Sequence, residues 1–313
     1  MADGIACIKS IIPVLTKSNW TMLAQKNHLQ FTNGLIKINL SVMEPRERYW
    51  FYLEHITISN ADYLVPANVT NFRTQRSHAQ YLSCRQDIAQ QFARDYPQWS
   101  NRSASRITDA HIEAMANLRD IFGEQGVTLF LMGGTLLGWY RNCDVIPYTT
   151  DIDFGALSTQ WSTSVENVLV NNDKGMVLFW ILGKPEDSLE LSVCYGSTKL
   201  DVFFLYVESE SSWVGGMIVP ERIKLRWTYP KPNGFCSADI RGYLFAVPCN
   251  AEAFIKSDYG PEWAKPFHND NFKWYESHHN IQRVGKWGFA DRNRVVKQHF
   301  NNSKGIPLTP HCW

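Results

Sequence analysis

The spacing of apolar residues changes several times along this chain, and each change marks an element. LQFTNGLIKINL sets apolar residues on both sides of Asn33-Gly34, a dipeptide that favours a tight hairpin turn, and RYWFYLEHITI has the β-branched and aromatic content of a strand. CRQDIAQQFARDY then takes a helical pattern. Ile112, Met115, Leu118 and Phe122 recur at helical spacing behind Thr108 as a cap, with Asp109 in the first turn and Gly123 and Gly126 at the end. VTLFLM, Val127 to Met132, is the short continuous apolar run of a buried strand, and it runs into Gly133-Gly134. TLLGWYR resumes as a turn of helix. The order is therefore strand, glycine turn, helix.

Beyond it DIDFGAL predicts a strand and STSVENVLVNN a helix, after which GMVLFWIL, LELSVCY, KLDVFFLYV and WVGGMIV follow as strands. NAEAFIKSDYG is a helix between Asn250 as cap and Gly260 as stop, and the aromatic stretch after Trp263 has no clear period. The economical architecture is α+β, a mixed sheet, partly antiparallel, with helices on it. The polar segment PQWSNRSASR, Pro97 to Arg106, marks the boundary between a β-rich N-terminal region, 1–105, and a second domain, 106–313.

Composition narrows the function. With 313 residues, 44% of them hydrophobic and 19% charged, the chain can bury a large core. Its 31 basic and 30 acidic residues leave a net charge of +1, which argues against the broad basic surface that nucleic-acid binding needs. Cys7, Cys84, Cys143, Cys194, Cys236, Cys249 and Cys312 form no C-x-x-C pair, so neither a zinc site nor a redox motif is signalled, and no disulfide pairing can be assigned. Sequons at Asn19, Asn39, Asn68, Asn101 and Asn301 exceed the roughly two or three that chance would give and lean toward a secretory lumen. Against that, MADGIACIKSIIPVLTKSNW is broken by Lys9, Pro13 and Lys17 and reads neither as a signal peptide nor as a membrane span. No later segment is long enough to be one. Compartment stays open between a lumenal chain without its anchor and a cytosolic one.

The chemistry concentrates in GGTLLGWYRNCDVIPYTTDIDFG. Side chains alternate along a strand, so Asp151 and Asp153 share one face while Ile152 and Phe154 point to the other, into the core. Two carboxylates this close repel unless a cation stands between them, and magnesium or manganese, held by one or two carboxylates with waters and phosphates, resolves the conflict. A D-x-D triplet alone is as readily a pair of solvated charges at a strand end. Its context favours the metal. Asp201, flanked by Leu200 and Val202 in an apolar strand, is either a sheet-edge charge paired with Lys199 or Lys224, or the third member of an acidic triad. In that triad Asp151 and Asp153 hold the metal, and Asp201 binds a second metal or takes the proton from an attacking hydroxyl.

Gly133-Gly134 is either a tight corner or, at a helix N-terminus after a strand, an anion site to which Thr135 adds a hydroxyl. Arg141, about two turns further, could clamp a phosphate through two hydrogen bonds. The P-loop pattern is absent. Trp139 and Tyr140 are core or a stacking surface, His278-His279 has no ligand partner at metal spacing and is expected on the surface or in a loop, and Tyr259-Gly260 with Trp263 braces the fold. Together these parts describe phosphoryl-type transfer from a nucleotide diphosphate compound, with departure of a nucleoside monophosphate.

GTLLGWYRNCDVIPYTTDIDFG resembles the G-T-x-L-G-x-x-R and D-[IV]-D signature of the LicD and fukutin family of nucleotidyltransferase-fold enzymes, and KLDVFFLY, VPCNAEAFIKSDYG and YGPEWAKP resemble the family's later segments. The likeness covers about Asp109 to Trp287. It implies transfer of a phospho-alcohol from a CDP-activated donor to a glycan or glycoprotein: choline phosphate in the bacterial branch, ribitol phosphate in the fukutin branch. Arg141, Asp151, Asp153 and Asp201 fall on matching motif positions. Thr149 and Thr150 stand where bacterial members carry further acidic residues, which is closer to fukutin. The cysteines that a relative uses for zinc are not matched. Animal members work in the Golgi behind an N-terminal anchor. The expected function is metal-dependent transfer of ribitol phosphate from CDP-ribitol with release of CMP. The alternatives are a nucleotide-sugar glycosyltransferase, which also presents D-x-D to a metal, and a non-catalytic glycan-binding chain.

Overall fold

A computed structural model describes residues 80–267 and 272–299 in full, and between residues 21 and 66 the backbone of five strands. Strands β1 (Thr21–Gln25), β2 (His28–Thr32) and β3 (Lys37–Ser41) form an antiparallel sheet in which Phe31 pairs with Ile38, and the Asn33-Gly34 turn expected between β2 and β3 lies outside the described residues. Strands β4 (Leu53–Ile58) and β5 (Ala61–Pro66) pair antiparallel. Asn19, Asn68, Asn301, Cys7 and Cys312 lie outside the described residues.

From residue 80 onward one sheet organises the chain. Helix α1 (Gln86–Asp95) is followed by two short 3-10 turns and α2 (Asp109–Glu124), which starts where Thr108 donates its backbone N–H to His111 Nδ1 at 3.0 Å and buries Ile112, Met115, Leu118 and Phe122 as the spacing required. The apolar run after it is strand only at β6 (Phe130–Leu131), and α3 (Gly133–Asn142) begins at the first glycine itself. Next come β7 (Asp151–Leu157), α4 (Thr163–Asn171), β8 (Met176–Lys184), β9 (Asp187–Tyr195), β10 (Thr198–Val207) and β11 (Ser211–Ile218), close to the spans the apolar runs predict. Four strands carry no signal strong enough to predict: β12 (Ile223–Pro230), β13 (Phe235–Ile240), β14 (Tyr243–Pro248) and β15 (Ile281–Lys286). Helix α5 (Ala251–Tyr259) precedes β15, and α6 (Arg292–Val295) with β16 (Val296–Gln298) ends the described chain.

The sheet is mixed, with the order β13-β14-β6-β7-β10-β11-β12-β15, and β9, β8 and β16 continue from β10 as a branch. β7 lies antiparallel to β6 and parallel to β10, whose first half is clasped on its other side by β9. This is the α+β architecture expected, with Ile152, Phe154, Leu200, Val202 and Phe204 fully buried on one face. No described helix is long and apolar enough to cross a membrane.

Residues 80–105, placed by the sequence before the boundary, are tied to the elements beyond it. Leu82 N–H donates to Ser237 O at 2.8 Å, Arg85 N–H to Tyr140 O at 3.1 Å, and Cys84 is disulfide-bonded to Cys143. Cys236 and Cys249 form a second disulfide. Cys194 is disulfide-bonded as well, and since the other four described cysteines pair among themselves its partner lies outside the described residues. The Cys84–Cys143 bridge closes a loop of 59 residues, and a cross-link of that span restricts the unfolded chain by about 2–5 kcal/mol. The double substitution Cys84→Ser/Cys143→Ser should therefore lower the melting temperature by roughly 5–15 °C. An unchanged calorimetric melt would remove the bridge from the account of stability.

Candidate functional site

Parallel pairing of β7 and β10 builds the site. The register sets Asp151 opposite Lys199 and Asp153 opposite Asp201, so three aspartates and a lysine share the face opposite the core. On the far side of β10, Asp201 is paired with Ser192 and Phe203 with Glu190, which brings a fourth carboxylate to the group. All of them line one cavity of about 1080 Å³.

Each carboxylate is held differently. Asp153 is seated by the glycine turn: Gly134 N–H donates to its Oδ2 at 3.1 Å, and its own backbone N–H donates to Thr135 Oγ1 at 2.8 Å. At Gly133, where φ is +52°, an added Cβ would stand 2.6 Å from Asp153 Oδ2, so the turn admits glycine alone. The donor expected to meet a phosphate is thus engaged by the chain's own aspartate, and Gly133, Gly134 and Thr135 act by fixing Asp153. Asp151 accepts from the Thr149 hydroxyl at 3.0 Å. Asp201 is almost fully buried with both oxygens engaged, Oδ1 by the Ser192 hydroxyl at 2.6 Å and Oδ2 by Lys199 Nζ at 2.8 Å. It is a central-strand residue that nevertheless pairs with Lys199, so it joins parts of both sequence readings.

The electrostatics follow from that crowding. Burial, and then the charge of its acidic neighbours, pushes Asp151 and Asp153 above the ordinary carboxylate range, Asp153 furthest, although both keep some surface open to the cavity. Glu190 is pushed up to about 8, first by burial and then by Asp201. Burial works against the charge on Lys199, but Asp201 and Glu190 outweigh it and raise the lysine. No three His, Cys, Asp or Glu side chains among the described residues stand close enough to hold an ion between them. Asp201, turned to Lys199 and Ser192, is the member missing from such a set. Asp151 and Asp153 remain, hard oxygen donors with few fixed cations beside them, and two carboxylates completed by water and substrate phosphate are the usual set for magnesium.

Arg141 forms another part of the wall. It is 1% exposed, its Cζ lies 4.4 Å from the centre of the Phe92 ring, its Nε donates to Asn142 Oδ1 at 3.0 Å, and its Nη1 donates to Trp263 O and Lys265 O at 3.3 Å each. Its Nη2 has no hydrogen-bond partner, and no carboxylate lies within ion-pair distance of the group among the described residues. A buried cation in that state favours an anion in the cavity. With Nε and Nη1 spent on the chain itself, one donor rather than two is available to it.

Trp139 is core, and Tyr140 donates to Glu252 Oε2 at 2.8 Å; neither lines the cavity. Tyr259 and Trp263 do line it. Among the wall residues that escaped the sequence reading, two carry titratable groups close to the candidate site. Glu190 sits inside LELSVCY, whose alternation did offer a signal, and His278, expected on the surface or in a loop, lies in the loop before β15 with its ring turned inward against Trp227, Tyr259 and Phe272.

A mixed sheet carrying an acidic cluster at a parallel strand pair, with a buried guanidinium facing the same cavity, has the chemistry to take a phosphorylated ligand together with a cation. Residues 126–250 match the family model described as LicD/FKTN/FKRP, nucleotidyltransferase domain. The human protein named ribitol-5-phosphate transferase FKTN is 30% identical over 246 residues, covering 78% of this chain and 52% of that protein, and its mouse counterpart is 29% identical over the same span. An uncharacterized Caenorhabditis elegans protein is 33% identical over 193 residues, 59% of this chain and 50% of its own. The chain belongs to the LicD/fukutin family, and it spans about half the length of the curated relatives it matches.

Because Glu190 is raised in the folded chain, its contribution to stability is complete below about 4.5, its ordinary value, and is lost as pH climbs through about 8. Glu190→Gln should therefore melt above the parent at pH 9, with the difference shrinking toward pH 5. Parallel melting curves at the two pH values would refute this placement of Glu190.

Proposed function

We propose that this chain transfers a phospho-alcohol, ribitol phosphate in the first instance, from a CDP-activated donor to a glycan hydroxyl and releases CMP. The observation that carries the reading is the pairing of opposite requirements in one cavity: carboxylates in excess of their cations, and a buried guanidinium without a carboxylate. A pyrophosphate donor with a divalent cation satisfies both. The name of the human relative supports ribitol phosphate as the transferred group.

Asp151 and Asp153 would hold magnesium or manganese, which when bound supplies charge neutralisation at the pyrophosphate. The chain's own residues do the rest. Gly134 and Thr135 keep Asp153 in place, Arg141 Nη2 donates to a phosphate oxygen, and Lys199 with Ser192 fixes the Asp201 carboxyl in the cavity wall. The disulfides, together with the sequons, support a lumenal, Golgi-type compartment, since disulfides persist where the surroundings are oxidising.

The test is a donor screen of the purified chain, with and without manganese, against CDP-ribitol, CDP-choline and nucleotide sugars in the presence of a glycan acceptor panel. CDP-ribitol should give CMP and phosphate-bearing acceptor, and Asp153→Asn should lower turnover at least about 100-fold. Release of a nucleoside diphosphate from a nucleotide sugar would instead identify a glycosyltransferase. Equal calorimetric binding of CDP-ribitol by parent and Asp153→Asn, without turnover, would identify a non-catalytic binding protein.

A further inference from the structure

The wall across Tyr259 from the acidic cluster carries a second polar group. Asp258, on α5, is 3% exposed, and its Oδ1 accepts the Tyr229 hydroxyl of β12 at 2.7 Å. Burial and then Asp258 push Tyr229 well above the ordinary phenol range, so it stays protonated and donates. The same Oδ1 lies 3.4 Å from His278 Nδ1. The backbone reinforces the approach, because His279 N–H donates to Asp258 O at 2.7 Å.

The His278 ring is packed edge-on to Trp227 and Phe272 and tilted against Tyr259, with its side chain 13% exposed and facing the cavity. Nδ1 is buried and off line for a hydrogen bond, at a distance that a small rotation would close. Bonds of this kind are often long until substrate arrives. With Nδ1 buried while the ring lines the cavity and keeps part of its surface open, Nε2 is the edge offered to a ligand. A carboxylate on Nδ1 fixes the tautomer in which Nε2 carries the lone pair. The Tyr259 hydroxyl stands 3.8 Å from where a Cβ on Gly134 would be, so one aromatic side chain spans from the glycine turn to the histidine.

Asp201, the base suggested by the sequence, has both oxygens engaged by donors. We propose that His278 is the general base for the acceptor hydroxyl, with Asp258 as its positioning residue. This rests on the transfer reaction proposed above. Nε2 takes the hydroxyl proton as the acceptor oxygen forms its bond to the phosphorus of the phospho-alcohol. The bond from that phosphorus to the bridging oxygen breaks, and its electron pair leaves with the nucleoside monophosphate.

The experiment measures CMP release from CDP-ribitol with manganese, at saturating acceptor and across pH 5 to 9, for the parent, His278→Gln and Asp258→Asn. It adds calorimetric donor binding and long-range nitrogen NMR of the histidines in the same proteins. The groups facing His278 are Asp258, Tyr259 and Tyr229, with His279 and the Lys273–Glu276 pair on its own segment, and Trp227 and Phe272 carry no charge. Turnover of the parent should fall on the acid side with the loss of one proton acceptor. His278→Gln should lower kcat about 100-fold or more, abolish that acid limb, leave donor Kd within about threefold, and recover part of its rate with added imidazole. Asp258→Asn should lower kcat less and shift His278 away from a single tautomer. His278→Gln with kcat within a few-fold of the parent overturns the proposal while the transfer reading stands. A parent inactive with every donor removes both. If His278→Gln does not fold, the Asp258→Asn spectrum decides, and an unchanged tautomer overturns the dyad.

Discussion

The register between β7 and β10 is the constraint on which the rest depends. It forces Asp153 against Asp201 and Asp151 against Lys199, and the clasp by β9 adds Glu190. Unit charges on adjacent strands, about 5 Å apart, repel by on the order of 3 kcal/mol at the effective dielectric of such sites. One lysine cannot offset four carboxylates, so the cluster either keeps protons or takes up a cation. The upward shifts of Asp151, Asp153 and Glu190 describe the first state, and a divalent ion would convert it to the second. A slip of one residue in β10 would turn Asp201 into the core and Leu200 into the cavity, so hydrophobic burial of Leu200, Val202 and Phe204 locks the charges in place.

Much of this was legible from the order of residues. Alternation in DIDFGAL placed Asp151 and Asp153 on one face, and the apolar flanks of Asp201 marked it as buried, because period-2 patterning is a local property that burial on one face enforces. What stayed hidden depended on contacts between distant segments. That β10 runs parallel to β7 is decided by a crossover of some forty residues. That Lys199 compensates Asp201 rather than Asp151 alone is a matter of side-chain reach. The glycine turn was read as an anion site, and that its Gly134 N–H is met by Asp153 required knowing that β7 lies beside the turn. β12 and β13 alternate, yet IKLRWTYP and FCSADI mix charge with apolar residues so evenly that neither period wins.

The disulfides bear on chemistry as well as stability. Cys143 stands two residues beyond Arg141, and its bond to Cys84 holds the start of α1 against α3, where Phe92 lies under the guanidinium. Two carbonyls from the segment after α5 hold the same guanidinium from another side. A buried, always charged side chain needs such fixed dipoles and an aromatic face to remain folded inside. Three segments far apart in sequence thus converge on one cation and leave a single Nη2 free, which makes Arg141 a rigid donor where a flexible one would spend entropy on each binding event.

The distribution of charge around the cavity argues for division of labour. Its acidic floor comes from β7, β9 and β10, its cationic wall from α3, and its aromatic wall from β12, α5 and the segment before β15. In the transfer reaction proposed above, an anionic donor would be repelled by the floor until a cation intervened and attracted by Arg141 throughout, so it would bind with its phosphates toward the floor and that wall. What would remain for a neutral hydroxyl acceptor is the aromatic side, where Trp227, Tyr259 and Phe272 pack on the His278 imidazole and Trp274 stacks on Trp227. Indole and phenol faces suit the C–H faces of a sugar ring while costing little in desolvation, so donor and acceptor are sorted by polarity before any specific hydrogen bond is made.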